Sequence, residues 1–171
     1  MRMKSIKRDE FEELVQRAVV RPRLRRELRF VPEAIADWDE RELLAVADRT
    51  GNNGVLLIEL DGELFVAPYR LLSRIADKTG RAKPITCDFC YTWQRGGKAG
   101  RITFTRLSDG HSLTFLCCAD LACSIHVRNK TPESLLSRTQ LHEDIDADGR
   151  ARRLQTKLRG LVATLGLLPV A

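Results

Sequence analysis

The apolar positions near the start of the chain follow a helical period. Four of them recur every three or four residues, with charged or amide residues between them: Phe11, Leu14, Val15 and Ala18. This spacing predicts an amphipathic helix over residues 9–19, with Asp9 and Glu12 as its capping pair. Pro22 separates this helix from a basic stretch, residues 21–29, whose two leucines we expect to face inward.

Two β-prone runs then flank the dipeptide Asp61-Gly62. A type I′ turn needs positive φ at both central residues, so this dipeptide predicts a β-hairpin over residues 55–67. The segment before the hairpin fits two interpretations, a capped helix that starts at Trp38 or a strand over residues 43–47. After the hairpin, four apolar residues indicate a short helix that Gly80 ends: Leu71, Leu72, Ile75 and Ala76.

The C-terminal half combines a cysteine turn, a second hairpin and helices. Apolar residues are placed to pair across Ser108-Asp109-Gly110, and a helix is expected to begin near Ala119. A final amphipathic helix is predicted over residues 145–165, with its apolar stripe packed on the N-terminal elements. The stripe consists of Leu154, Leu158, Leu161, Val162 and Leu165.

Composition and charge narrow the class of protein. The 171 residues carry a formal charge of +6, and residues 81–131 hold 8 basic and 3 acidic side chains. This excess suits proximity to RNA without proving it. No apolar run approaches the ~20 residues that cross a bilayer, so we expect no membrane anchor. The charged N-terminus does not resemble a secretory signal, and a cytoplasmic location is therefore expected.

The five cysteines suggest metal binding, because disulfides are rare in a reducing compartment. Cys87 and Cys90 form a C-x2-C turn, and Cys118 and Cys123 form a C-x4-C pair at a strand end and a helix start. Cys117 is the weaker candidate ligand, since it alternates with Leu113 and Phe115 and should face the core. The pattern predicts one structural Zn²⁺ in a four-cysteine treble clef.

Catalysis is not expected. A closed shell of four thiolates leaves no open position on the metal for a water molecule. His126 and Asn129 are reminiscent of zinc-finger nucleases, but those need a catalytic histidine on the hairpin well before the asparagine, whereas His111 lies at the turn. No P-loop, dinucleotide-binding glycine motif or nucleophile elbow occurs.

The stretch Cys118-Ala119-Asp120-Leu121-Ala122-Cys123-Ser124, followed by Val127-Arg128, resembles the C-terminal treble clef of the elongation-factor-G-binding family, the FusB-type fusidic acid resistance proteins and their actinobacterial relatives. The resemblance extends over about residues 35–165. It implies that Cys118 and not Cys117 is the ligand, and that residues 43–47 form a strand. It also implies binding to elongation factor G, action at the ribosome and promotion of factor release.

The sequence thus predicts an α+β protein with two parts. Residues 1–80 form an N-terminal helical and β-hairpin part, packed on residues 81–171, which contain the finger (87–130) and the final helix. We expect a monomer that binds its partner through residues around the cysteine turn and at the end of the finger helix: Phe89, Tyr91, Trp93, Arg128 and Lys130. The alternative is an RNA-binding zinc-finger module that contacts rRNA or tRNA through residues 21–29 and 95–106.

Overall fold

The computed structural model describes residues 3–73, 75–141 and 143–171. Its N-terminal part begins with helix α1 (Arg8–Arg17) and the short helix α2 (Pro22–Glu27). The predicted capping pair of α1 is wrong. The backbone N–H of Lys7 donates to the carboxylate of Glu10 at 2.7 Å. Since a capping carboxylate lies three residues after the N-cap, α1 starts at Arg8.

The described residues contain seven strands: β1 (Leu43–Ala47), β2 (Asn53–Leu60), β3 (Glu63–Ser73), β4 (Ile85–Thr86), β5 (Trp93–Gln94), β6 (Ala99–Thr105) and β7 (Ser112–Cys118). Five of them form one antiparallel sheet in the order β1-β2-β3-β6-β7, and β4 pairs with β5 separately. The strand interpretation of residues 43–47 is therefore the one observed, and only a 3₁₀ turn, Trp38–Glu40, precedes it. Asp61 and Gly62 join β2 to β3 with φ values of 55° and 88°.

The helix predicted after the first hairpin is wrong. Leu71 and Leu72 continue β3, where Leu71 pairs with Ile102 of β6 and Leu72 with Arg101. Ala76 forms an isolated bridge with Ala82. Two adjacent leucines are compatible with a helix and also with a strand. The apolar pattern alone therefore did not distinguish the two structures. The consequence is one sheet that runs continuously across the predicted boundary at residue 80.

In the described part of the chain, three helices follow the second hairpin: α3 (Cys123–His126), α4 (Pro132–Leu141) and α5 (Ala147–Leu165). The expected helix start near Ala119 is wrong, because a turn occupies the residues before α3. Asp146 caps α5 by accepting the N–H of Gly149 at 2.7 Å. Gly166 ends α5 with a φ of 70°, a conformation that glycine adopts at low cost.

The sheet is covered on both faces. One face packs on the metal centre and α5, and its buried core includes Leu56 and Ile58 of β2 with Leu154 and Leu158 of α5. We call it the finger face. The opposite face, the N-terminal face, packs on α1 and the residues around it, and its core includes Leu57 of β2. The expected packing of α5 on N-terminal elements is confirmed.

The architecture is α+β, with the N-terminal elements packed on the cysteine-containing segment and on a final amphipathic helix. Among the described residues, no helix is long and apolar enough to cross a membrane.

Candidate metal centre

The first cysteine pair lies in a tight turn between β4 and β5. The N–H of Tyr91 donates to the carbonyl of Cys87 at 3.0 Å, and Tyr91 has a φ of 58°. The N–H of Phe89 donates to Sγ of Cys87 at 3.4 Å. This geometry turns the chain back within four residues and aims a backbone donor at one sulfur, which stabilises a thiolate.

The second pair spans the end of β7 and the start of α3. Cys118 is the last residue of the strand, and Cys123 is the first residue of the helix. Leu121 lies between them with a φ of 51°, and its N–H donates to the carbonyl of Cys118 at 3.0 Å. The four intervening residues therefore reverse the chain so that both sulfurs face the first turn.

The four sulfurs form a compact buried cluster. Sγ of Cys87 lies 3.8 Å from Sγ of Cys123, and Sγ of Cys90 lies 3.3 Å from Sγ of Cys118. All four sulfurs lie within 4.8 Å of one another. Four sulfurs about 2.3 Å from a tetrahedral zinc ion would be about 3.8 Å apart, so the donor set fits Zn²⁺. Each of these cysteines is at most 1% exposed, so water has little access to the site.

The surroundings of Cys87 favour its thiolate form. Burial alone would raise the pKa of Cys87, but hydrogen bonds with Cys118, Cys123 and Cys90 outweigh burial and hold this pKa well below its ordinary value. The side-chain amide of Gln94, itself buried, donates to Sγ of Cys118 at 3.3 Å. Such a donor stabilises the negative charge that four thiolates place on one dipositive ion.

Cys117 is buried but does not belong to the cluster. A Cβ added to Gly100, on the paired strand β6, would lie 3.2 Å from Sγ of Cys117. Burial raises the pKa of Cys117, and the neighbouring Cys87 and Cys90 raise it further. Cys117 is therefore a neutral thiol that fills the core, as its alternation with Leu113 and Phe115 predicts.

His126 is fully buried next to the metal centre. Its Nε2 lies 3.1 Å from a carboxylate oxygen of Asp120, and its Nδ1 lies 2.6 Å from the hydroxyl of Thr131. Both ring nitrogens thus have partners outside the four-sulfur cluster. His126 and Asp120 thus connect the turn that joins Cys118 to Cys123 with Thr131, which follows α3.

A four-thiolate site of this kind has a structural role, because no ligand position remains for a substrate or a water molecule. The zinc would connect the turn at residues 87–90 to the end of β7 and the start of α3. These segments are short, and they are far apart in the sequence.

The structure separates the predicted partner-binding residues into two sets. Tyr91 and Trp93 are half-buried, and each lies beside cations: Arg153 and Lys157 are 4.1 and 5.4 Å from the centre of the Tyr91 ring, and Arg95 is 5.1 Å from that of Trp93. Lys130 is exposed and forms ion pairs with Glu40 and Asp37.

The other two predicted residues serve the interior. Phe89 is 5% exposed, and its ring centre lies 5.5 Å from that of Phe115. The guanidinium of Arg128 donates to both carboxylate oxygens of Glu42, at 2.6 and 3.0 Å. The partner role of all five residues stays a prediction, but Phe89 and Arg128 can contribute to it only by supporting the surface.

The sequence did not predict the contact between Glu42 and α3, the helix of the finger. The hydroxyl of Ser124 accepts the N–H groups of Glu42 and Leu43 at 3.0 and 3.2 Å, next to the Arg128 ion pair. We call these three side chains the edge joint, because they attach α3 to the start of β1: Glu42, Ser124 and Arg128. Glu42 stands in a run of charged residues that is typical of a solvated helix, so no local signal marks it as buried.

Comparison with known proteins identifies the family. The chain matches the FBP C-terminal treble-clef zinc-finger family over residues 22–165. It therefore belongs to that family, which confirms the resemblance seen in the sequence. The family consists of binding proteins and not of enzymes. No curated protein matches the chain, and no solved structure matches it.

Proposed function

We propose that this protein binds elongation factor G through the surface around the first cysteine turn, and that it acts in the cytoplasm at the ribosome by promoting release of the factor. Membership in the FBP family is the observation that carries this proposal. The proposed role is non-enzymatic, and four thiolate ligands would leave no position on the zinc for a substrate. Protection against fusidic acid would follow if factor release is the step that the drug blocks.

The composition of one surface supports a protein partner. We call this the knuckle surface, and it consists of Tyr91, Trp93, Arg95, Arg153 and Lys157. Aromatic rings and arginines are the residues that most often anchor protein interfaces. Here the cations already lie over the ring faces, so part of the cost of ordering these side chains is met before a partner binds.

The metal centre would keep this surface rigid. Tyr91 directly follows Cys90, and the N–H of Trp93 donates to the hydroxyl of Ser137 in α4 at 2.7 Å. Arg153 is also ion-paired with Glu143, which in turn pairs with Arg138 of α4. The knuckle surface is thus attached to the zinc turn, α4 and α5 together, and it should bind with little rearrangement.

The test measures binding of purified variants to purified elongation factor G in the absence of ribosomes. Tyr91→Ala and Trp93→Ala should each weaken binding by more than about 1 kcal/mol, or roughly fivefold, because both remove a central ring. Leu168→Ala is the matched control, since Leu168 is 79% exposed but lies outside the knuckle surface. Zinc content and melting temperature should not change in any of the three.

Two results would reject the proposal. One is undiminished factor binding by both aromatic variants. The other is failure of the wild-type protein to bind the factor at all. Release is tested separately, by the fraction of the factor that sediments with ribosomes in the presence of GDP and fusidic acid. The wild type should lower this fraction, and Tyr91→Ala should lower it less.

A further inference from the structure

A second surface, around helix α2 on the N-terminal face, is rich in arginine. Helix α2 lies between a cleft of about 630 Å³ and a groove of about 1110 Å³. Arg25 lines both, which makes the surface continuous around the helix. Arg17 and Arg23 also line the groove, but they pair with Glu13 and Glu27. The other arginines of the cleft and the groove are called the arginine surface: Arg8, Arg21, Arg25, Arg26, Arg29 and Arg70.

None of these six arginine side chains forms an ion pair with another described residue. Their positive charges are therefore not neutralised within the described part of the protein. Among the described residues, Glu12 is the only carboxylate residue that lines the cleft. Two acidic residues line the groove, and both are engaged. Glu27 pairs with Arg23 at 3.0 Å, and Asp48 accepts hydrogen bonds from Thr50 and Asn53. The surface therefore retains a net positive charge.

Residues 95–106 are the second basic stretch that the sequence suggested as an RNA contact, and their cations are paired to a greater extent. Lys98 is ion-paired with Glu133, and Arg106 is paired with Asp109 at 3.0 Å. Arg95 lies against Trp93 in the knuckle surface. Residues 95–106 therefore supply few available cations, and the arginine surface is the stronger candidate for an anionic partner.

Helix α2 is held firmly although it is short. Leu24 and Leu28 pack against the core of the N-terminal face. The N–H of Arg29 donates to the carbonyl of Ala47 in β1 at 2.9 Å, and Leu28 forms a bridge with Asp48. The guanidinium groups thus project from a fixed backbone, and less conformational entropy is lost when they bind.

The arginine surface offers no ring for a base to stack on. Three aromatic residues line the cleft and the groove, and all are buried: Phe11, Phe30 and Tyr69. Phe11 and Phe30 stack on each other with ring centres 4.2 Å apart. Binding of single-stranded nucleic acid commonly uses stacked aromatic rings, whereas duplex RNA is recognised through its phosphates and 2′-hydroxyls. Thr105 and Ser112 add hydroxyl groups to the groove.

We infer that the arginine surface binds the phosphate backbone of double-helical RNA without regard to sequence. We specify RNA rather than DNA because this inference rests on the proposed function, in which the protein acts at the ribosome. The two surfaces lie on opposite faces of the sheet, so the protein could contact RNA and a protein partner at the same time.

The experiment measures binding of a fluorescein-labelled RNA duplex of about 16 base pairs by anisotropy, at salt concentrations from about 50 to 200 mM. The variant is Arg21→Gln/Arg25→Gln/Arg26→Gln. Each lost phosphate contact should reduce the slope of log affinity against log salt by about one, so we expect the slope to fall by about three. Replacement of the same three arginines by lysine should preserve the slope, because counterion release depends on charge.

The matched control removes three exposed cations that line neither the cleft nor the groove and lie outside the knuckle surface: Lys78→Gln/Lys83→Gln/Arg152→Gln. Its net charge equals that of the first variant, and its slope should stay close to that of the wild type. Equal slopes for the two triple glutamine variants would overturn the inference. Binding of poly-glutamate as tight as that of RNA, lost in the same variant, would also overturn it, since the surface would then suit an acidic protein. Elongation factor G is absent from this experiment, so its outcome is independent of the factor-binding test.

Discussion

The two faces of the five-stranded sheet are stabilised in different ways. The N-terminal face is closed mainly by the packing of apolar side chains, with Phe11, Leu14 and Val15 of α1 buried in its core. The finger face is covered partly by elements too short to bury much surface, since β4 and β5 have two residues each and α3 has four. On this face, the four-cysteine site would supply stabilisation that apolar burial does not provide.

This difference indicates why the zinc is needed. A two-residue strand or a single helical turn is not stable without tertiary contacts. Zinc holds the two cysteine pairs although 27 residues separate them, and such sites contribute folding free energy directly. Helix α5 is 19 residues long and buries a complete leucine stripe, so it can cover the rest of the finger face by packing.

The largest expected effect is the loss of zinc. Cys123→Ser should abolish stoichiometric zinc and remove on the order of 10 kcal/mol of apparent stabilisation from the finger. Hydrogen exchange should then show loss of protection over residues 85–130, while amides of α1 stay protected. Elemental analysis and exchange measured on the same sample check this. Retention of one zinc per chain by Cys123→Ser would contradict the ligand assignment.

The next effect concerns the edge joint. The side chains of Arg128 and Glu42 are 12% and 2% exposed, so Arg128→Ala would leave an unpaired buried carboxylate and should cost about 3–5 kcal/mol in unfolding free energy. Denaturant melts check this value. The double variant Glu42→Leu/Arg128→Met should recover most of the loss, because it removes both charges. A double variant as unstable as the single one would show that the ion pair is not the cause.

A matched pair of leucines compares the cores directly. Leu158→Ala on the finger face and Leu14→Ala on the N-terminal face should each cost about 2–5 kcal/mol in the zinc-loaded protein. After chelation, only the Leu14→Ala cost should remain, since Leu158 shares its core with the cysteines. Thermal melts with and without chelator measure both. An undiminished Leu158→Ala cost after chelation would mean that the finger-face core forms without the metal.

The smallest effect is expected at Cys117. Cys117→Ser should retain one zinc per chain, because this thiol is not in the cluster. It places a hydroxyl at a buried apolar position, which should cost about 1–3 kcal/mol. Zinc content and the melting temperature check the two parts of this prediction. Zinc lost from Cys117→Ser but kept by Cys118→Ser would reverse the ligand assignment.

Local signals predicted much of the fold and the metal centre. Each cysteine pair is a short turn whose geometry depends on adjacent residues, so its spacing indicates the chemistry. The stripe of α5 repeats over about three turns and gives a clear helical period. Helix α4 was missed because it turns polar residues inward: Ser134 and Ser137 are buried, while Leu135 is 58% exposed. A search for apolar periodicity does not detect such a helix.

By itself, the sequence predicted a zinc site formed by two cysteine pairs, a hairpin at Asp61-Gly62, and an amphipathic last helix. The tertiary structure decided that β3 continues to Ser73 and pairs with β6, and that Glu42 is buried against Arg128. The physical reason is range. A turn or a helical face is specified by residues within a few positions, whereas a strand partner or a buried ion pair depends on residues up to 86 positions away.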